Sequence, residues 1–223
     1  MTGTARPRPA ALAGRAAWAL LAAALAGGGP SAHAQAPTAY RLDPAHTAIH
    51  WEVLHMGTST LRGRFDRLDG TARFDARQQA LEVGISVDVA SVSTGVPALD
   101  RMLRGSTLLD VQNHPQAWFV ARQARFEGER PVEIRGEITL RGRSQPLTLT
   151  TRRWHCGFNL LFRREVCGGD LEARLSRSAF GMTLAAGLVA DEVLLHLSVE
   201  AVRTDPGDEA PPAATDSGTT TPP

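Results

Sequence analysis

Apolar and polar residues alternate with a period of two over most of the chain, the mark of half-buried β-strands. In TAIHWEVLHMG (residues 47–57), Ile49, Trp51, Val53 and His55 fall on one face, and His50 and Glu52 on the other. STLRGRFDRLDGTARFD (59–75) reads as a hairpin, with Leu61 and Phe65 on one arm, Ala72 and Phe74 on the other, and LDG at the turn. ALEVGISVDVASV (80–92) carries Leu81, Val83, Ile85, Val87 and Val89 in strict alternation. Strand patterns continue in QAWFVARQARFEG, PVEIRGEITLRG, SQPLTLTTRRW, GDLEARLSRSAFG and AGLVADEVLLHLSVEAVR.

One segment departs from this period. PALDRMLRGSTLL (97–109) puts Leu99, Met102 and Leu103 at helical spacing, with Pro97 suited to a first turn and Gly105 to a stop. A short helix capping one end is expected, those three residues facing inward, with a gating role left open. The fold class expected is all-β. About eight long, largely antiparallel strands, with one short helix between the third and fourth, favour a closed barrel over a sandwich, because closure removes exposed edges. The interior of such a barrel is either filled by side chains or holds a small ligand, and alternation does not separate the two.

The termini break the pattern. Arg6, Arg8 and Arg15 precede an apolar stretch (16–26), and Ala32-His33-Ala34 follows. This reads as a secretory signal over residues 1–34, cleaved near Ala34; its apolar centre is shorter than the roughly 20 residues of a membrane span. Residues 205–223 have no large apolar residue and are expected to form a disordered tail. One domain, residues 39–204, remains. It holds 21 Arg and 19 acids, with no Lys and little clustering beyond Arg152-Arg153 and Arg163-Arg164, so no nucleic-acid footprint is present.

Cys156 and Cys167 are the only cysteines, and an even count in an exported segment suggests one disulfide. The ten residues between them do not fit C-x-x-C, and no second pair completes a zinc site. The enclosed loop carries Phe158, Leu160, Leu161 and Phe162, then Arg163-Arg164. It is expected to pack on its own barrel; a lid, or a contact with a membrane surface, is the alternative.

Several motifs taken together resemble the YceI-like family, which resembles lipocalins and has members that bind polyisoprenoid lipids. YRLDPAHTAIHWEVLHMGTSTLRGRF carries Tyr40, Asp43, His46, His55, Gly57, Gly63 and Phe65 of the family's opening. SVDVASVSTGVPALDRMLRGSTLLDVQNHPQAWF supplies Ser91-Val92, Thr94, Asp100, Leu103-Arg104, Leu108-Leu109-Asp110-Val111, Pro115 and Phe119. GEITLRGRSQPLTL is similar to its Gly-x-Leu-Thr-x-x-Gly-x-x-x-Pro hairpin, with Ile138 for Leu, and LSRSAFGM with VADEVLLHLSVEA to its closing pair. The likeness runs in order over residues 40–202. It implies a lipocalin-like antiparallel barrel, export to the periplasm and a long amphiphile in a central cavity. Trp51 stands where Phe is usual, which is expected to shorten the cavity on that side. The cysteine-bounded loop belongs to some members only, and the tail is extra.

Parity selects Ile49, Trp51, Val53, His55, Phe65, Phe74, Val83, Ile85, Val87, Phe119, Ile138 and Leu140 as the candidate ligand lining. His55 ends its row either as a core histidine bonded to a carbonyl or as a contact for the amphiphile's polar end. Asp43 and His46 read as a strand-entry turn before a dyad. No nucleophile elbow, phosphate loop, G-x-G-x-x-G or H-E-x-x-H is present, so no catalytic residue and no metal ligand is assigned. The expected function is a periplasmic carrier of an isoprenoid or similar lipid, with an enzyme or accessory module acting on a lipid or redox substrate as the alternative. No cofactor is expected beyond a bound isoprenoid lipid or quinone. The expected partners are that amphiphile and, transiently, the inner membrane or a membrane redox protein, for a monomer or dimer.

Overall fold

The computed structural model describes residues 36–205 and Asp208. The expected export signal lies outside these residues, as does the tail beyond Asp205 and Asp208. The elements are β1 (Thr38–Leu42), β2 (Ala48–His55), β3 (Ser59–Phe65), β4 (Leu68–Asp75), β5 (Ala80–Asp88), β6 (Val92–Ser93), α1 (Pro97–Arg104), β7 (Gln116–Glu127), β8 (Arg130–Leu140), β9 (Arg143–Asn159), β10 (Arg164–Ser176) and β11 (Val189–Arg203). β1, β4, β5, β7, β8, β9, β10 and β11 are paired in that order, and β11 returns to β1, closing an antiparallel barrel.

β2 runs on from β1 along the same neighbour: Leu42 lies opposite Ala201 of β11, and Ala48 opposite Ser198. β1 and β2 are therefore one stave with a jog. At the jog the Thr47 hydroxyl donates to the Glu200 carbonyl (3.1 Å) and accepts from the Glu200 amide (3.2 Å), filling a gap in the ladder. The Asp43 carboxylate accepts from the Ala45 amide (3.0 Å) and contacts His46 Nδ1 (2.6 Å), so these two residues form the expected strand-entry turn.

The hairpin expected over residues 59–75 does not form. β3 pairs with β2 and β6, and β4 with β1 and β5, so β3 and β4 are a second jogged stave. The LDG triplet lies inside β4, with Leu68 buried. Alternation fixes which way side chains point but not which strand lies alongside. The jog is held by the Ser91 hydroxyl, which accepts from the Asp66 (3.1 Å) and Arg67 (3.0 Å) amides. Counted by staves, α1 falls between the third and fourth, as expected.

Register shifts at Arg122 in β7 and at Arg152 in β9 alter the inward parity. In β7, Ala117, Phe119 and Ala121 are buried, and past the shift at Arg122 it is Ala124 and Phe126 that pack on the core. In β9 the row changes from Leu147, Leu149 and Thr151 to Trp154 and Cys156. Each shift turns the strand and tightens the barrel's curl.

Candidate functional site: the apolar interior and its two ends

The inward rows of all eight staves merge into one apolar cluster. Seven of the candidate lining residues (Trp51, Val53, Phe74, Ile85, Val87, Phe119 and Leu140) are buried in it, and Ile49, Phe65, Val83 and Ile138 pack half-buried against it. Parity thus brings these eleven side chains together. Leu147, Leu149, Leu171, Leu195 and Leu197 complete the far wall from β9, β10 and β11. They were left out of the candidate set although the same period-two pattern in SQPLTLTT, DLEARL and VLLHLSVE marks them. Trp51 is seated over Gly63: a Cβ there would lie 2.3 Å from the indole Cζ2, so only glycine leaves room for the ring. One inward polar atom, the Thr151 hydroxyl, is buried without a partner.

The two ends differ. At the end where β9 turns into β10, Phe74 stacks on Phe126 (centroids 6.3 Å) and meets Trp154 edge-on (5.5 Å). Buried beside them, Tyr40 donates its hydroxyl to Glu165. Burial first, and then the hydrogen bond to this carboxylate and its charge, push the phenol well above its usual range. Phe74 therefore belongs to an aromatic floor. The Cys156–Cys167 disulfide joins directly opposed residues of β9 and β10 at the same end. The loop beyond it was expected to pack on the barrel, but Leu160 and Leu161 are 83% and 90% exposed. A four-residue apolar tip projecting past the rim has no barrel surface within reach.

The other end is roofed by α1 and by residues 177–188. Three arginines pin this roof through backbone carbonyls. Arg177, 6% exposed, donates to the carbonyls of Ala190, Met182, Leu184 and Val189 at 2.7–3.0 Å. Arg141 joins the two roof segments, reaching Gly181 (2.9 Å) and Ser106 (3.0 Å), and Arg104 holds the carbonyls of Ala90 and Val92. Of these arginines the sequence marked only Arg104, within the Leu103-Arg104 motif, and it gave none of them a structural role, because an isolated Arg reads as surface charge. α1 itself has no buried residue. Leu103 packs on the core, but Met102, expected inward, is 55% exposed. The helix has two turns and Arg104 fixes its last one, so one edge meets the barrel and Met102 falls outside it.

The histidines do not converge. His46 belongs to the Asp43 turn, and His50 and His196 face each other on the outer wall. His55 ends β2 half-buried beneath the roof, and its ring has no hydrogen-bond partner among the described residues. No three His, Cys, Asp or Glu converge as a metal site among the described residues. Two clefts of about 380 and 320 Å³ lie among the described residues, the first edged by His46, Arg153, His155 and Glu200, the second by His50, Glu52, Arg62 and His196 around Trp51 and Gly63. Their charged edges do not suit an apolar chain, which leaves the interior as the candidate site.

Comparison with known proteins bears on that interior. A profile of the YceI-like domain matches residues 40–201. The chain belongs to the YceI-like family. The protein YceI of Salmonella arizonae is 30% identical over 167 residues, 74% of this chain and 86% of its own length. Among solved structures, BcnA of Burkholderia cenocepacia superposes with a TM-score of 0.60 at 22% identity, over 71% of this chain and 98% of BcnA. A polyisoprenoid binding domain from Saccharophagus degradans superposes at 0.51 with 12% identity, over 75% of this chain and 99% of that domain. These likenesses support the closed barrel. Within the YceI-like barrel described here, Gly63, Trp51 and the roof arginines carry the features that shape the interior.

Proposed function

We propose that this YceI-like barrel is an exported, periplasmic carrier that holds a long isoprenoid or similar amphiphilic chain along its axis and works by binding, without catalysis. The observation that carries this reading is the continuous apolar cluster inside the barrel, bounded at one end by an aromatic floor and covered at the other by a roof held through arginine–carbonyl hydrogen bonds. Each buried methylene of a guest contributes about 0.8 kcal/mol, so a long tail is retained without many polar partners. The unpartnered His55 ring lies where a polar head would emerge, and the orphaned Thr151 hydroxyl offers one further contact inside. A polyisoprenoid-binding domain of the same fold supports the choice of guest. The intramolecular disulfide agrees with an oxidising compartment. No helix among the described residues is long and apolar enough to cross a membrane.

Native mass spectrometry of the purified protein, followed by solvent extraction, tests the proposal. A co-purifying or readily captured prenyl lipid is the expected result. A chain that is guest-free and takes up no prenyl lipid would overturn it and leave a filled core.

A further inference from the structure

The β9–β10 tip is the most exposed apolar point of the described chain. Phe158, Leu160, Leu161 and Phe162 are 69%, 83%, 90% and 37% exposed. This exposure is built into the hairpin. Asn159 Oδ1 accepts from the amides of Leu161 (2.9 Å) and Phe162 (3.3 Å), Arg163 takes a left-handed φ of 52°, and the disulfide clamps the two strands just behind.

Arg163, next to the apex, has no ion pair or hydrogen bond among the described residues. Arg153, its side chain 81% exposed, reaches only Asp170, at 3.7 Å. Arg164 is instead engaged by Asp205 and Asp208. A contiguous exposed apolar patch marks a contact with a partner or a membrane. This one is convex and narrow, with leucines at its apex, aromatics beside them and the unpaired Arg163 guanidinium behind. That order matches a bilayer surface, acyl chains below and phosphates above.

We propose that the stapled β9–β10 tip docks the protein on a phospholipid bilayer, Leu160 and Leu161 entering the acyl boundary and Arg163 meeting lipid phosphates. The proposal does not depend on what the barrel holds, so it stands or fails apart from the carrier reading.

Vesicles of phosphatidylethanolamine with a minor share of phosphatidylglycerol test it on the full chain. Both native cysteines are bonded, so Leu161→Cys provides a single thiol for an environment-sensitive fluorophore, and Gln112→Cys, by the roof, provides the control. Vesicles should shift the emission to the blue at position 161 and not at 112. Leu160→Asp with Leu161→Asp should lower the partition constant by about tenfold or more. Arg163→Glu should weaken binding most on the anionic vesicles. These sites are exposed, and circular dichroism verifies that the variants keep the fold. No blue shift at 161, or unchanged partition of the double variant, overturns the proposal. So does a dimer in vesicle-free sedimentation that the double variant dissolves, because the tip would then belong to a second copy.

Discussion

Arg177 illustrates how much a single side chain holds in this barrel. Its guanidinium is buried and meets two carbonyls of the roof segment, Met182 and Leu184, and two at the start of β11, Val189 and Ala190, with no carboxylate among them. Replacing it by Met keeps the stem's apolar contact but strands those carbonyls, each buried unpaired group costing about 1–3 kcal/mol. Arg177→Met should therefore lower unfolding stability by about 4 kcal/mol or more, read as a fall in the urea midpoint at constant slope. The Asp43–His46 turn makes a different, pH-dependent contribution. The hydrogen bond from His46 is the main cause that lowers the Asp43 pKa, and the same bond, with the carboxylate's charge, raises that of His46. A raised imidazole contributes stability below its ordinary pKa of about 6.5 and loses it as pH rises through the folded value. A lowered carboxyl contributes above about 3.9 and loses its share as pH falls through its folded value. The contact is thus strongest between about pH 4 and 6.5. His46→Ala should show its largest stability deficit near pH 5 and almost none near pH 9, in parallel denaturant titrations.

At the scale of elements, α1 is held mainly at its two ends. It has no buried residue; the Asp100 carboxylate accepts from the Thr94 amide (2.8 Å) and hydroxyl (2.6 Å), and Arg104 fixes the far turn. Asp100→Ala removes the first anchor and leaves the barrel wall untouched. If guests pass beneath α1, this variant should exchange a fluorescent prenyl chain about fivefold faster, the equivalent of about 1 kcal/mol, with unchanged far-UV circular dichroism. Unaltered exchange would place the passage elsewhere. The elements also mark how far the sequence could be read. Period-two alternation located the staves, the helix spacing located α1, and the cysteine count matched the cross-strand bond. The β3–β4 jog escaped because its two halves keep the alternation of a hairpin, and what separates the two is the Ser91 hydroxyl, distant in sequence. Met102 was misplaced because helical spacing assigns a face but not how deeply the helix sits. The arginine clamps were illegible for a related reason: their partners are backbone carbonyls, which carry no sequence signature.

Across the whole molecule, wall and interior are coupled, most directly at Trp51 and Gly63. The missing side chain at Gly63 makes room for the indole of Trp51 on the neighbouring strand, so under the carrier proposal the residue at 51 helps set how much chain the interior can hold. Trp51→Phe gives up buried surface and should lose about 1–2 kcal/mol, a moderate cost because the remaining ring still fills part of the site. Under the carrier proposal the space released lies along the guest's path. Lipids extracted from Trp51→Phe should therefore shift toward longer chains than those from the parent protein, measured by mass spectrometry of matched preparations. Gly63→Ala tests the same coupling from the wall side. Its methyl collides with the indole, so it should destabilise the parent by more than it destabilises Trp51→Phe, a positive coupling between touching residues. Equal costs in the two backgrounds, together with an unchanged chain-length profile, would mean that the interior's length is set by the aromatic floor at Phe74, Phe126 and Trp154 and not by Trp51.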